Sequence, residues 1–297
     1  MKPSKDFFSR RNLMLVTVAV LLVYLLMWTT VLVSREVDRR QEKHAAAVQQ
    51  KQFDNQSDEQ KSIIRAQEYL KSSIGKVGVE QRLLLDYLQR KYDLDKALGA
   101  EQNPFPITEN PRTYPQEVNF LARISYPNKI VTVPPRSIVD GPALTNIYSA
   151  NCDHIALPPS FWPTMEQNYQ AGGYSLTHVA LALAFMRDNS CEVPAARSDL
   201  KSKVLAGMVK LADNPATNPD LRYEAIAFLG LSSDFTEINS KWVDAITEAQ
   251  QENGSWIDAS DRQNSDHTTV LALWALLEYS KPNVPYEPLI HRPSQQP

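Results

Sequence analysis

The sequence predicts an all-α protein: an N-terminal transmembrane helix and a helical stalk, then helical hairpins, with a proline-rich irregular segment between stalk and hairpins. Three observations predict it. An uncharged apolar run stands near the N-terminus. Residues 164–281 carry apolar side chains at helical spacing, and a Gln–Gly–aromatic–His pattern occurs twice there.

The apolar run is Leu13 to Val33, 21 residues without Asp, Glu, Lys or Arg. At 1.5 Å per residue it matches a hydrocarbon core of about 30 Å. Lys2, Lys5, Arg10 and Arg11 precede it, and Arg35, Arg39, Arg40 and Lys43 follow, mixed with Glu36, Asp38 and Glu42. Lys and Arg are nearly even on the two sides, so the charge rule orients the helix only weakly. A first helix before a long domain leaves its short N-terminus, residues 1–12, in the cytoplasm. Residues 13–33 then form a single-pass signal-anchor in the cell membrane. The C-terminal domain is extracytoplasmic, periplasmic in a Gram-negative cell. The alternative is a cleaved signal peptide, but the run is longer than such peptides carry and its exit, VLVSREVD, has no small-x-small site.

Of the 297 residues, 43% are hydrophobic, enough for a sizeable core. The formal net charge is −3, with no basic stripe to follow a phosphate backbone, so nucleic acid is not an expected partner. The two cysteines, Cys152 and Cys191, either pair in an oxidising compartment or remain as buried thiols.

Residues 34–102 read as the stalk plus an amphipathic helix from Val79 to Leu98, separated at Gly75 and Gly78. Residues 103–163 hold more than half of the chain's 20 prolines. They predict an extended cover with a short helix at Gln116–Ala122 and a brief strand at Lys129–Val133. Five helices follow: Leu176–Asp188, Ala195–Ala212, Pro219–Leu231, Glu237–Gln251 and His267–Ser280. Residues 282–297 have no helical pattern and are expected to be a disordered tail. VALALAFM and VLALWALL, apolar nearly all round, suit inner helices, whereas SDLKSKVLAGMVKLA and INSKWVDAITEAQQ are amphipathic and suit an outer layer.

The segment Gln170-Ala-Gly-Gly-Tyr174, then Thr177-His178 and an apolar helix, is echoed by Gln250 to Gly254-Ser-Trp256, then Asp266-His267 and an apolar helix. His178, Glu224 and His267 are 46 and 43 residues apart, the length of a helical hairpin with its loops. With Ile246-x3-Gln250-x3-Gly254-x-Trp256 the chain resembles the α/α-toroid superfamily of terpenoid cyclases and protein prenyltransferases. The resemblance implies a partial α/α-toroid of three hairpins over residues 164–281, to which the helices at 56–98 could add. It also implies a structural role for Gln250 and Trp256, tying an outer helix to the next loop. The acid motif of the cyclases and the Asp-rich diphosphate motifs are absent, so their chemistry is not implied.

In such barrels the inner-helix starts line one mouth of the cavity, which would gather His178, Glu224 and His267. Two imidazoles and a carboxylate form a recurrent metal set with an open position for water, for zinc or another divalent ion. Asp153 and His154 would add ligands if the proline-rich cover folds over the mouth. Without metal, the same residues form a general acid–base set, with Tyr174 or Tyr223 as proton donor. The bland alternative is capping: a His at a helix start is often a cap, and Glu224 lies where the helix dipole favours a carboxylate. Two functions are therefore expected in competition. One is an extracytoplasmic repeat protein that binds an envelope protein or a glycan. The other is a hydrolase or lyase, metal-dependent or not, using His178, Glu224 and His267.

Overall fold

Acidic residues open and basic residues close the first two helices, complementing the helix dipole. Asp58 and Glu59 start α1 (Asp58–Ser73), which Lys71 closes; Glu80 starts α2 (Val79–Tyr92), which Arg90 and Lys91 close. Asp93 ends α2 in the left-handed region, its N–H returning to the Gln89 carbonyl. The computed structural model describes residues 53–99, 116–129, 141–232, 235, 238–257 and 266–290, with Trp28, Arg35 and Arg39 as isolated helical positions. The chain divides into two units, residues 1–57 and 58–297. Apart from Trp28, the predicted anchor Leu13–Val33 lies outside the described residues. Among those described, no helix is long and apolar enough to cross a membrane.

The second unit continues with α3 (Gln116–Ser125), α4 (Gly141–Ala150), α5 (Phe161–Ala171), α6 (Gly173–Asp188), α7 (Leu200–Asp213), α8 (Pro219–Leu229), α9 (Ser240–Glu248) and α10 (Asp266–Ser280). It is all-α, with no strand element among the described residues. Asn218 and Asn239 cap α8 and α9 through their side chains, and Pro219 occupies the first turn of α8, where its missing N–H costs nothing. The chain reverses between α5 and α6 on Gly172 and Gly173, both at positive φ.

Six helices form an inner layer. Neighbours run α2, α3, α4, α6, α8, α10, and α10 packs back on α2. Contacts between matching ends show neighbours to be parallel. Asn146, midway along α4, meets His178 in the second turn of α6, and Ser149 meets Asn189 where both helices end. Thr177 meets Glu224 between α6 and α8, and farther along Arg187 meets the Leu231 carbonyl. Asp220 meets His267 between α8 and α10, and Lys91 meets Glu278 where α2 and α10 end. Helices α1, α5, α7 and α9 lie outside, each against its inner neighbours. Parallel inner helices need such outer return segments, which explains the alternation of nearly all-apolar and amphipathic sequences.

The core fills the space between the layers. Tyr87 on α2 and Phe228 on α8 pack on Trp274 of α10 at ring separations of 5.1 and 5.3 Å. Trp256 is buried and donates its indole N–H to the Ile246 carbonyl at the end of α9, while Gln250 bridges the Ser62 carbonyl of α1 and the Gly254 carbonyl. Gly254, at φ 89°, sits where a Cβ would lie 2.3 Å from the Arg65 carbonyl oxygen. The Gln–Gly–Trp pattern thus welds α9 and its following loop to α1, the structural role expected of it.

Several expectations are corrected. The end of the stalk, 58–73, belongs to the packed unit together with the amphipathic helix at 79–92, with Leu70, Leu83, Leu85, Tyr87 and Leu88 fully buried. The proline-rich cover contains α3, α4 and the start of α5, and among the described residues its prolines fall between helices or in first turns: Pro142 and Pro163 each lie within the first three residues of a helix. Residues 130–133 of the predicted strand lie outside the described residues. Residues 282–290, read as the start of a disordered tail, pack instead. Leu289 and Ile290 are buried, and the Leu289 N–H donates to Asp188. The hairpins α5–α6, α7–α8 and α9–α10 are joined by α2, α3 and α4, and the inner helices close a ring. Cys152 and Cys191 form a disulfide with Cα atoms 6.2 Å apart, tying the loop after α4 to the end of α6.

Candidate functional site

The ring encloses a cavity of roughly 180 Å³ at the starts of its helices. Its walls repeat one pattern, a polar residue near the helix start and an apolar one a turn deeper. α2 gives Glu80 and Leu84, α6 gives Tyr174, His178 and Leu181, α8 gives Glu224 and Phe228, and α10 gives His267 and Leu271. Residues four apart lie on one helix face, so each helix supplies both rim and floor. Phe120 and Leu121 of α3 complete the floor, and the Phe120 ring meets the His178 imidazole edge-on at 5.7 Å. His178, Glu224 and His267, chosen from the repeat alone, therefore share one cavity.

Their surroundings differ. Glu224 is only 4% exposed and accepts a hydrogen bond from Thr177. Burial pushes its carboxyl up to about 7; the imidazolium of His267 and the Thr177 bond oppose the rise, while Asp220 and Glu80 add to it. The protonated acid is easily accommodated. Glu224 then donates to the Thr177 hydroxyl, which donates in turn to the Tyr174 carbonyl 2.9 Å away.

His267 is a cation. Burial alone would depress it, but Nδ1 donates to Asp220 Oδ1 at 3.0 Å, and the charges of Asp220, Glu80 and Glu224 reinforce that bond, raising the ring to about 9. Its Nε2 lies 3.8 Å from Glu80 Oε1. Asp220 in turn accepts from Thr268 at 2.6 Å and from the Tyr174 hydroxyl at 2.9 Å. Burial would raise the Asp220 carboxyl, but these donors and the imidazolium outweigh it, and the net shift is downward. His178 has another environment. The Asn146 amide nitrogen donates to the Pro142 carbonyl and, at 3.0 Å, to His178 Nδ1, so the neutral ring carries its proton on Nε2.

The arrangement holds a protonated carboxyl near neutrality, a fixed imidazolium and an ionised carboxylate around a space large enough for one sugar-sized group. Groups of this kind are able to exchange protons with a bound molecule. Among the described residues, no three His, Cys, Asp or Glu converge as a metal-ligand set. His267 Nδ1 is committed to Asp220 and Glu224 to Thr177. Asp153 and His154 do not line the cavity. Asp153 follows the C-terminus of α4, where Arg123 grips it through two nitrogens at 2.7 and 3.0 Å, and His154 lies beside it at 3.4 Å. Tyr223 is also absent from the lining and is buried, its hydroxyl pushed up to about 12 by burial.

Sequence reasoning passed over Glu80, Thr177, Asn146 and Asp220. Asp220 had a local signal, standing one helical turn before Glu224 on the same face. Glu80 had none, because its place beside His267 depends on α2 closing the ring. No protein-family model, curated protein or solved structure matches the chain.

Proposed function

We propose that this chain is a membrane-anchored extracytoplasmic enzyme that cleaves an envelope glycan by acid–base chemistry, through hydrolysis or elimination, in the cavity of an α/α-toroid. The carrying observation is that Glu224, buried and holding its proton near neutral pH, shares a cavity of roughly 180 Å³ with the His267 cation. Two acidic groups with different proton affinities in one pocket are what bond cleavage with proton transfer requires. The ring of parallel inner helices supports the toroid reading. The Cys152–Cys191 disulfide supports an oxidising, extracytoplasmic location, with residues 13–33 as the anchor. Aromatic faces from Phe120, Phe228 and Tyr174 beside carboxylates suit a carbohydrate, which presents both C–H faces and hydroxyls.

A binding reading, in which the repeat recruits an envelope partner, has one observation in its favour. An apolar groove of roughly 420 Å³, including Leu183, Val204, Leu205 and Met208, lies between α6, α7 and α8, and Phe228 lines both it and the cavity.

The test is turnover by the full chain in detergent micelles on isolated envelope glycan. New reducing ends report hydrolysis, and ultraviolet absorbance of an unsaturated product reports elimination. Glu224→Gln is expected to lower either signal by about 100-fold or more, the ordinary worth of a general acid. An unchanged rate in that variant refutes the enzyme reading.

A further inference from the structure

We infer that Glu80 is the second catalytic carboxylate, and that with Glu224 it makes the site a glycoside hydrolase. The inference rests on the proposed enzymatic role of the cavity and narrows its chemistry.

Both carboxylates line the cavity, yet their environments are opposite. Glu224 lies against Thr177 within the ring, removed from solvent. The Glu80 side chain is 27% exposed and lies 3.8 Å from His267 Nε2. One pocket thus presents a buried proton donor and a solvent-reachable carboxylate, which is the requirement of glycosidic cleavage: one group protonates the leaving oxygen and the other serves the opposite side of the sugar. The cavity volume of roughly 180 Å³ suits a single sugar ring between them.

The placement also assigns His267. Its Nδ1 is tied to Asp220, which Thr268 and Tyr174 hold in turn, so the ring is fixed between Asp220 and Glu80. His267 and Asp220 are positioning residues. They hold the imidazole ring beside Glu80.

The step balances without a cofactor. Glu224 gives its proton to the glycosidic oxygen as the C1–O bond breaks and that oxygen keeps the electron pair. Water bonds to C1 through its oxygen and passes a proton to Glu80. The sugar gains OH and the leaving group gains H. Glu80 ends protonated and Glu224 ionised, and exchange with solvent restores both.

Elimination makes a different demand. It takes a proton from carbon next to a carboxylate-bearing centre, and a bound uronate needs cationic partners. Here the one imidazolium is already flanked by two carboxylates, and no Lys or Arg lines the cavity among the described residues.

The experiment uses the full chain and a panel of 2,4-dinitrophenyl and 4-nitrophenyl glycosides of neutral hexoses and N-acetylhexosamines. For the substrate turned over, Glu80→Gln and Glu80→Ala are each expected to lose about 100-fold or more in kcat. Added azide is expected to restore Glu80→Ala turnover and to yield a glycosyl azide, an outcome a purely structural residue does not give. Circular dichroism and thermal melting establish that both variants are folded. If Glu224→Gln abolishes turnover while folded Glu80 variants keep theirs, the Glu80 assignment fails and the broader enzyme reading stands. If Glu224→Gln and the Glu80 variants all retain full activity on a substrate with a poor leaving group, both readings fail. An unsaturated sugar product overturns the hydrolase assignment alone.

Discussion

Replacing Glu224 by Gln separates a catalytic acid from a merely tolerated one by its effect on stability. Gln has the same shape, can accept from Thr177 and carries no proton to lose. The Glu224 carboxyl is raised from 4.5 to about 7 on folding. The folded state therefore keeps a proton that the unfolded chain has released. The stability so contributed is complete below pH 4.5 and is lost as pH rises through about 7. Linkage sets the cost at pH 8 at about 3 kcal/mol, against under about 1 kcal/mol at pH 5. The variant escapes this loss. For a unit of this size each kcal/mol moves Tm by about 2–4 °C, so the variant's advantage should grow by about 5–10 °C between pH 5 and pH 8. Differential scanning calorimetry of both proteins across that range measures it. A gap that stays constant with pH means that Glu224 ionises freely in the folded state, and the acid assignment falls with it.

Two further outcomes follow from the same geometry. Asp220→Asn removes the charge that raises His267, and the imidazole should titrate lower by about 1–3 units, read from its Cε1–H resonance by NMR; an unmoved titration refutes Asp220 as its anchor. Replacing Cys152 and Cys191 by Ala opens a link between residues 39 apart and should cost about 4 kcal/mol by loop entropy, read from denaturant midpoints at constant m.

The helices of residues 164–281 were legible because their apolar spacing and punctuation are local. Pro219 and the double glycine at 172–173 mark boundaries that the fold keeps. The repeat also placed His178, Glu224 and His267 near equivalent helix starts, and the shared cavity follows from that equivalence once the inner helices are parallel. The region 103–163 misled because proline density reads as disruption. Pro142 and Pro163 occupy first turns, where a proline is harmless, and only the packed helices show it. The stalk misled similarly. The polar surface of α1 looks like a free rod in sequence, although Ala66 and Leu70 on its other face are buried in the domain.

By itself the sequence determined the helical class, the hairpin period and three of the site's residues, because helix periodicity and repeat spacing are written along the chain. Tertiary structure alone decided that the ring closes through α2 and that α1 packs on its outside. It also decided that Asp220 and Glu80 flank His267, and that Glu224 loses its water. These depend on helices far apart in sequence meeting side by side, and burial and charge proximity exist only after they meet.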